Sequence, residues 1–428
     1  MAVEDSVKVA STTDALADSI LDVVQSYGMH TKTNNNETTT VSKWDGRLKF
    51  KKHVEHWIRL NEPIRFVIPS FPFKSENPDK VTCSVPDMSE YIGLFRLHAM
   101  TLDIQQVYPL GAEVTVASDG AVFNDIYPTS DEKVWEYSQS MNQMAKTYGF
   151  NVRICSPHEL LKLPNSVVNR ESYIDGLVQC RSIINTRTKP ELLDDLFARD
   201  PDSLRTYTQM SRFYEVDLKH TPVLKGKSRQ QGKTITKRLA RATMARSEAF
   251  TGLVLEALPN HVRLSVHASS GMVKLSFPLV PQGSDGASTF RVPWMSSIAV
   301  SVSGECQSVF SGDVRDTHDL VYKDGNPWCY RERHELFQFE SNDIVLEHIF
   351  PRGLVVINNS DKASTMSVGD IAKARELQRL QPVYVFGFGN LTDGLLKEDL
   401  PLDELLEENI LSKEEAITVE IKEINLVS

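Results

Sequence analysis

Three short apolar stretches each end in residues that can carry a proton or hold an anion. Arg65–Pro69 (RFVIP) runs through Ser70, Phe71, Pro72 and Phe73 to Lys74 and Ser75; Ala112–Ala117 (AEVTVA) runs into Ser118, Asp119 and Gly120; His261–Val266 (HVRLSV) runs into His267. Lys80 follows Lys74 in a segment broken by Pro72 and Pro78. Prolines fix backbone angles and hold such a loop in one shape, and compact ammonium groups on it suit a phosphate or carboxylate. Asp119 and Asp125 can divide proton donation and acceptance between them if their surroundings separate their pKa values, although Ser-Asp-Gly is also a common type I turn. Arg263 and Ser265 share a strand face with His267 at period two. Met272–Phe277 is expected to fold back on that strand as a hairpin through Ser269, Ser270 and Gly271, with Lys274 in its interior. Arg246, followed by Ser247, adds a guanidinium capable of bidentate bonding. The resulting set of cations around a histidine describes a pocket for a small anion with an acid–base group inside it.

The elements that must position these groups follow from periodicity. Leu16, Ile20, Val23, Val24 and Tyr27 predict a helix over Thr13–Tyr27, stopped by Gly28. A polar run, Thr31–Ser42, reads as a loop. A helix over about Leu48–Leu60 leads into the first strand, and Asp87–Gln105 reads as a helix capped by Asp87. After the strand Ala112–Ala117 and a turn at Asp119-Gly120 come a helix over Asp131–Tyr148 and a strand over Asn151–Cys155. This alternation predicts an α/β chain with a Rossmann-like, doubly wound, mostly parallel sheet, where ligands bind beyond the carboxyl ends of the strands. A helical insertion follows over about Ser156–Tyr214, then a basic run from Lys219 to Arg246 that reads as a loop until Ile235 and as a helix to about Leu258. Further strands are expected at Val262–Val266, Ser297–Ser301 and His318–Tyr322, and the chain turns acidic over Lys397–Glu423.

Composition narrows the function classes. The 428 residues are 41% hydrophobic and 24% charged with a net charge of −10, an ordinary soluble balance that disfavours a general binder of nucleic acid or anionic membranes. Cys83, Cys155, Cys180, Cys306 and Cys329 are scattered, odd in number and without a C-x-x-C, which predicts free thiols in a reducing, cytoplasmic setting. No apolar run reaches bilayer-spanning length, and the N-terminus MAVEDSVK lacks the pattern of a signal peptide. His53 and His56 lack an acidic metal partner, Gly387-Phe388-Gly389 is too short to mark a dinucleotide site, and the common zinc, nucleophile-elbow and P-loop motifs are absent.

Several stretches occur together and in order: FVIPSFPFKSENPDKV (Phe66–Val81), PDMSE (Pro86–Glu90), YPLGAEVTVASDGAVFND (Tyr108–Asp125), SDEKVWEY (Ser130–Tyr137), RSEAFTGLV (Arg246–Val254), VRLSVH (Val262–His267), the Pro-Trp of VPWM and DGNPWCYR (Asp324–Arg331). Collinear from about 45 to 335, they resemble the isonitrile (isocyanide) synthase family, which includes bacterial paerucumarin-type, fungal xanthocillin-type and yeast spore-wall formyl-tyrosine enzymes; the extension resembles that of fungal members. The resemblance implies a carbon–nitrogen bond-forming enzyme of transferase or lyase type that uses neither a metal nor an organic cofactor, with a helix and polar loop over 1–44, a catalytic domain over 45–335 and a C-terminal extension with an acidic tail over 336–428. It would join the amine of an L-amino acid to C2 of ribulose 5-phosphate to give an α-isocyano acid for downstream biosynthetic enzymes of secondary metabolism. On that reading Lys74, Lys80, Arg246, Arg263 and Lys274 meet the phosphate and the carboxylate, Lys74 alternatively supplying an imine-forming amine. His267, Asp119, Asp125 and Glu90 are the proton carriers, and Ser75 and Ser118 orient hydroxyls. Two departures stand out: Met295 where members commonly carry His after Pro-Trp, and Ala268 where Pro often follows the strand histidine. The alternatives are an N-formyl amino acid product and a non-catalytic phosphosugar- or partner-binding relative.

Overall fold

The computed structural model describes residues 2–28, 44, 46–127, 129–163, 169–219, 221–267, 269, 271–280, 291–301, 306–333, 341, 344–349 and 352–357. Two compact units interleave along the chain: Met1–Asn77 with Met100–Pro278, and Pro78–Ala99 with Leu279–Ser428. The polar run Thr31–Ser42 and the acidic stretch Lys397–Glu423 lie outside the described residues.

The first unit begins with helices α1 (Ala2–Tyr27) and α2 (Arg47–Leu60) and strand β1 (Ile64–Ser70). Helix α3 (Met88–Val107), part of this unit from Met100 onward, leads to β2 (Ala112–Ser118), α4 (Gly120–Phe123), α5 (Asp131–Thr147), β3 (Val152–Cys155) and α6 (Pro157–Leu160). The helical insertion comprises α7 (Arg170–Arg187), α8 (Leu193–Arg199), α9 (Pro201–Asp217) and α10 (Arg229–Ala257), and β4 (Val262–Ser265) and β5 (Leu275–Ser276) complete the unit. The strands form a five-stranded sheet in the order β3-β2-β1-β4-β5, and every pairing in it is parallel. This is the doubly wound arrangement expected from the strand–helix alternation. Its order reverses between β1 and β4, so the loops leaving those two strands diverge and open a crevice at their carboxyl ends. One sheet face is sealed by α10: Ala249, Phe250, Leu253 and Val254 pack with Val67, Ala117, Val122, Cys155 and Ile184. Fully burying a side chain of Phe250's size contributes roughly 1.5–3 kcal/mol.

Four local expectations differ from the fold. The strand after His267 does not return as a hairpin; β5 runs parallel to β4, with Leu264 opposite Leu275, and Lys274 precedes the strand rather than lying inside it. The chain between them is held in a compact reversal. The Ser269 hydroxyl donates to Lys274 O at 2.8 Å and accepts from Gly271 N at 3.2 Å, while the Trp44 indole donates to Gly271 O at 3.0 Å. Gly271 sits at φ +83°, and a Cβ there would lie 2.7 Å from the Trp44 ring, so glycine is required at this point. Helix α10 begins at Arg229, six residues before Ile235, because Ser228 and Gln231 form a reciprocal capping box that outweighs Gly232. Asp119-Gly120 opens the short helix α4 rather than a turn. Helix α1 starts at Ala2, well before Thr13.

In the second unit, β6 (Ser297–Val300), β7 (Cys306–Val309), β8 (His318–Lys323) and β9 (Asn326–Glu332) form a four-stranded mixed sheet in the order β7-β6-β9-β8, with the short helix α11 (Ser311–Val314) between β7 and β8. Asp324 (φ +50°) and Gly325 (φ +80°) make the two-residue hairpin between β8 and β9, the geometry for which Asp-Gly is suited. A further antiparallel hairpin joins β10 (Ile344–Ile349) to β11 (Arg352–Ile357). Among the described residues no helix is long and apolar enough to cross a membrane.

Candidate active site

The site is built at the crevice end of the first sheet. Arg263 lies opposite Val67 in the β1–β4 register, and Val67 packs against Ala249 and Phe250 of α10. Parallel partners in register share a face, so Arg263 points to the α10 side, and Ser265 follows it at period two. His267 continues that line just past the strand, its backbone N–H donating to the Ser265 hydroxyl at 3.2 Å. Lys274 returns to the same place at the end of the reversal pinned by Trp44. Glu248, one residue before Ala249 on α10, interacts electrostatically with both Lys274 and Arg263. Asp119 reaches in from the end of β2 and interacts with Arg263 from the other side.

These groups face one another without pairing. Among the described residues the Glu248, Lys274 and His267 side chains make no hydrogen bond or ion pair. Among the described residues the Arg263 guanidinium donates only to the backbone carbonyl of Leu264, and its Nε is buried without a partner. Asp119 Oδ1 is likewise buried without a partner. Native proteins satisfy buried polar groups almost without exception, so a convergence of unmet donors and acceptors marks a place meant for a ligand.

The electrostatics agree. Desolvation pushes the Asp119 carboxyl up to about 7, against the opposing pull of its own backbone N–H and of Arg263. Desolvation also draws Arg263 down to about 10, with Asp119 and Glu248 acting against that fall. His267 is driven down to about 3 by desolvation, then by the Lys274 and Arg263 charges, so it is a neutral imidazole at physiological pH. Lys274 is lowered by desolvation and by Arg263, and Glu248 is raised by desolvation. His267 and Lys274 nonetheless keep accessible surface, and Glu248 is exposed. Groups that are desolvated yet keep accessible surface are open to a ligand. Such a set offers cations for an anionic substrate, a neutral imidazole and two carboxyls displaced from their usual range.

Of the other residues singled out in the sequence, several already have partners and some belong to the second unit. Arg246 and Asp125 form a bidentate ion pair, with the second contact at 2.9 Å, and Arg246 also donates to Val122 O at 3.1 Å. The Ser75 hydroxyl donates to Asp217 Oδ2 at 3.0 Å and accepts from Asn77 N at 3.1 Å, and the same Asp217 oxygen accepts from the Tyr127 hydroxyl. Ser118 donates weakly to Phe71 O at 3.4 Å. Lys74 is buried on the loop after β1, next to Phe73, whose ring stacks on Tyr127 at 5.2 Å. Lys80 and Glu90 belong to the second unit. There Lys80 lies over the Phe310 ring at 5.6 Å. Glu90 accepts from Asp87 N at 2.9 Å while Asp87 accepts from Ser89 N at 2.8 Å, a cap on α3. Met295 closes a half-buried turn, Pro293–Met295, also in that unit; Ala268 lies outside the described residues. Among the described residues no group of three or more His, Cys, Asp or Glu is placed to hold a metal ion. Sequence reasoning missed Glu248, although it stands inside RSEAFTGLV, and Trp44.

Comparison with known proteins places this fold and cleft in a defined class. Residues 54–321 match the family model described as pyoverdine/dityrosine biosynthesis protein, and the chain belongs to that family. It is 34% identical over 408 residues to Isocyanide synthase xanB of Aspergillus fumigatus, covering 91% of this chain and 52% of that protein. It is 30% identical over 280 residues to an L-tyrosine isonitrile synthase of Pseudomonas aeruginosa, covering 64% of this chain and 81% of that one. The crystal structure of the PvcA protein from Pseudomonas aeruginosa superposes with a TM-score of 0.63 at 25% identity, covering 74% of this chain and 99% of that one. The chain spans about half the length of xanB and 18% of the isocyanide synthase–NRPS hybrid crmA.

Proposed function

We propose that this chain is an isocyanide synthase acting on an L-amino acid with ribulose 5-phosphate as the carbon donor, without a metal or organic cofactor. The observation that carries the reading is the unpaired cluster of Arg263, Lys274 and His267 at the switch point of the first sheet, in a family whose relatives are named as isocyanide and isonitrile synthases. Arg263 and Lys274 supply fixed positive charge for the sugar phosphate or the amino-acid carboxylate. Imine formation and the later carbon–carbon cleavage both require proton transfers. Neutral His267 can orient substrate through its ring nitrogens as hydrogen-bond donor and acceptor, and Asp119, poised near neutrality, can serve as proton donor or acceptor. Buried Lys74 stands at the end of β1 as a further cation or amine. The isocyano acid then passes to downstream biosynthetic enzymes.

The test is incubation with ribulose 5-phosphate and each of the common L-amino acids, read by mass spectrometry. The expected product has the parent's mass plus one carbon minus two hydrogens, and Arg263→Ala is expected to cut its formation by about 10²-fold. A product heavier than the parent by one CO unit would replace the synthase reading with that of a formyl-amino-acid-forming enzyme. Absence of any product from all amino acids would overturn both.

A further inference from the structure

The cleft holds one charged group that the anion-binding reading does not use. An amino acid brings to the site, besides its carboxylate, an α-ammonium that must lose a proton before its nitrogen can attack a ketose carbonyl. Asp119 is buried against Arg263, whereas Glu248 is exposed in the cleft, faces Arg263 and Lys274, and has no hydrogen-bond or ion-pair partner among the described residues. It is fixed by the adjacent Ala249 and Phe250, whose packing on Val67 and Ala117 sets the rotation of α10. We propose that Glu248 is the catalytic base that receives the α-ammonium of the amino-acid substrate and takes its proton.

This rests on the synthase reading and assigns a step within it. The N–H bond breaks and an O–H bond forms on Glu248, leaving the nitrogen lone pair free to attack C2 of ribulose 5-phosphate. The nitrogen's own second proton moves to the former carbonyl oxygen in the carbinolamine. Glu248 then returns its proton to that hydroxyl, which leaves as water and yields the protonated imine. The charged neighbours suit a group that must alternate between two states. Arg263 from β4, Lys274 from the reversal before β5 and Arg199 from α8 favour the carboxylate, while desolvation and Asp200, just beyond α8, favour the acid. Arg263 and Lys274, each just before the paired Leu264 and Leu275, can take the substrate's carboxylate or phosphate beside the ammonium.

The experiment compares wild type with Glu248→Gln and Glu248→Asp, using whichever amino acid the wild type converts. Glu248→Gln is expected to lower kcat/KM at pH 7 by about 10²-fold. The deficit should shrink as pH rises towards the range where the amine is already free, and Glu248→Asp should recover part of the activity. Calorimetry should show weaker binding of the amino acid to Glu248→Gln and unchanged binding of its des-amino analogue. A Glu248→Gln enzyme with wild-type kcat/KM, or a deficit constant across pH with equal losses for both ligands, would remove Glu248 from this role while leaving the synthase reading intact. Wild type that converts no amino acid would instead remove the synthase reading, and this assignment with it.

Discussion

Asp119 follows the last residue of β2, and ionising it would put charge on a buried, unpartnered oxygen in a low-dielectric setting. Its carboxyl therefore titrates near 7 in the folded chain against an ordinary value of 3.8. A folded state that holds a proton more tightly than the unfolded state is favoured at low pH. The contribution of this group is fully present below about 3.8 and is lost as pH rises through about 7. Asp119→Asn is expected to leave stability near pH 4 almost unchanged and to exceed wild type by a few kcal/mol at pH 8, from roughly 1.4 kcal/mol per pKa unit. Urea titrations at the two pH values check this; parallel losses in both proteins would show that the carboxylate is solvated or paired. The position of Asp119 at a strand end was legible in the apolar run before it, as were Arg263 and His267 from period two. Glu248 was not. A glutamate on a helix next to Arg246 and Ser247 reads as a solvated face, and only the register of Arg263 with Val67 shows which way it points.

At the scale of elements, the loop that carries Lys74 is held by contact with the start of α4. A Cβ on Gly120 would lie 2.5 Å from Pro72 O and 2.5 Å from Val134 Cγ1, distances that ordinary packing does not permit. Adding one methyl here must push the Pro72 backbone or α5 aside, which costs about 1–3 kcal/mol and displaces Lys74. Gly120→Ala is expected to lose both thermal stability and turnover, whereas Gly232→Ala, whose Cβ would meet nothing within 4 Å on α10, should gain a few tenths of a kcal/mol to about 1 kcal/mol. Scanning calorimetry with a turnover assay distinguishes them, and a fully active, fully stable Gly120→Ala would refute the proposed contact. Strand–helix alternation made the order of these elements readable, because apolar runs and caps are local signals. The parallel pairing of β5 was not readable: a Ser-Ser-Gly turn between two apolar stretches has the pattern of a hairpin. The reversal that allows the parallel pairing is held in part by Trp44, more than two hundred residues away in sequence from the glycine it contacts.

On the scale of the whole molecule, a chain of net charge −10 sets Arg263 and Lys274 side by side on one sheet, each just before the paired Leu264 and Leu275. The motifs, collinear from about 45 to 335, announced a single family, yet they divide between two units, since Pro78–Ala99 and the segment from Leu279 belong to the second. Linear order cannot reveal such an excursion, because the residues on either side of it carry the same kinds of apolar run. A dianionic sugar phosphate approaching this molecule meets a repelling overall charge and an attracting local one, so its binding should be tight only where the local cations are desolvated and unpaired. Ligand at a hundredfold above its Kd stabilises the state that binds it by about 2.7 kcal/mol. Hydrogen exchange with ribulose 5-phosphate is therefore expected to slow amides in residues 71–77, 118–125 and 262–267 of the first unit, and the protection should fade as salt is raised. Protection confined to β6–β9 would place the sugar phosphate in the second unit and remove Arg263 and Lys274 from its recognition.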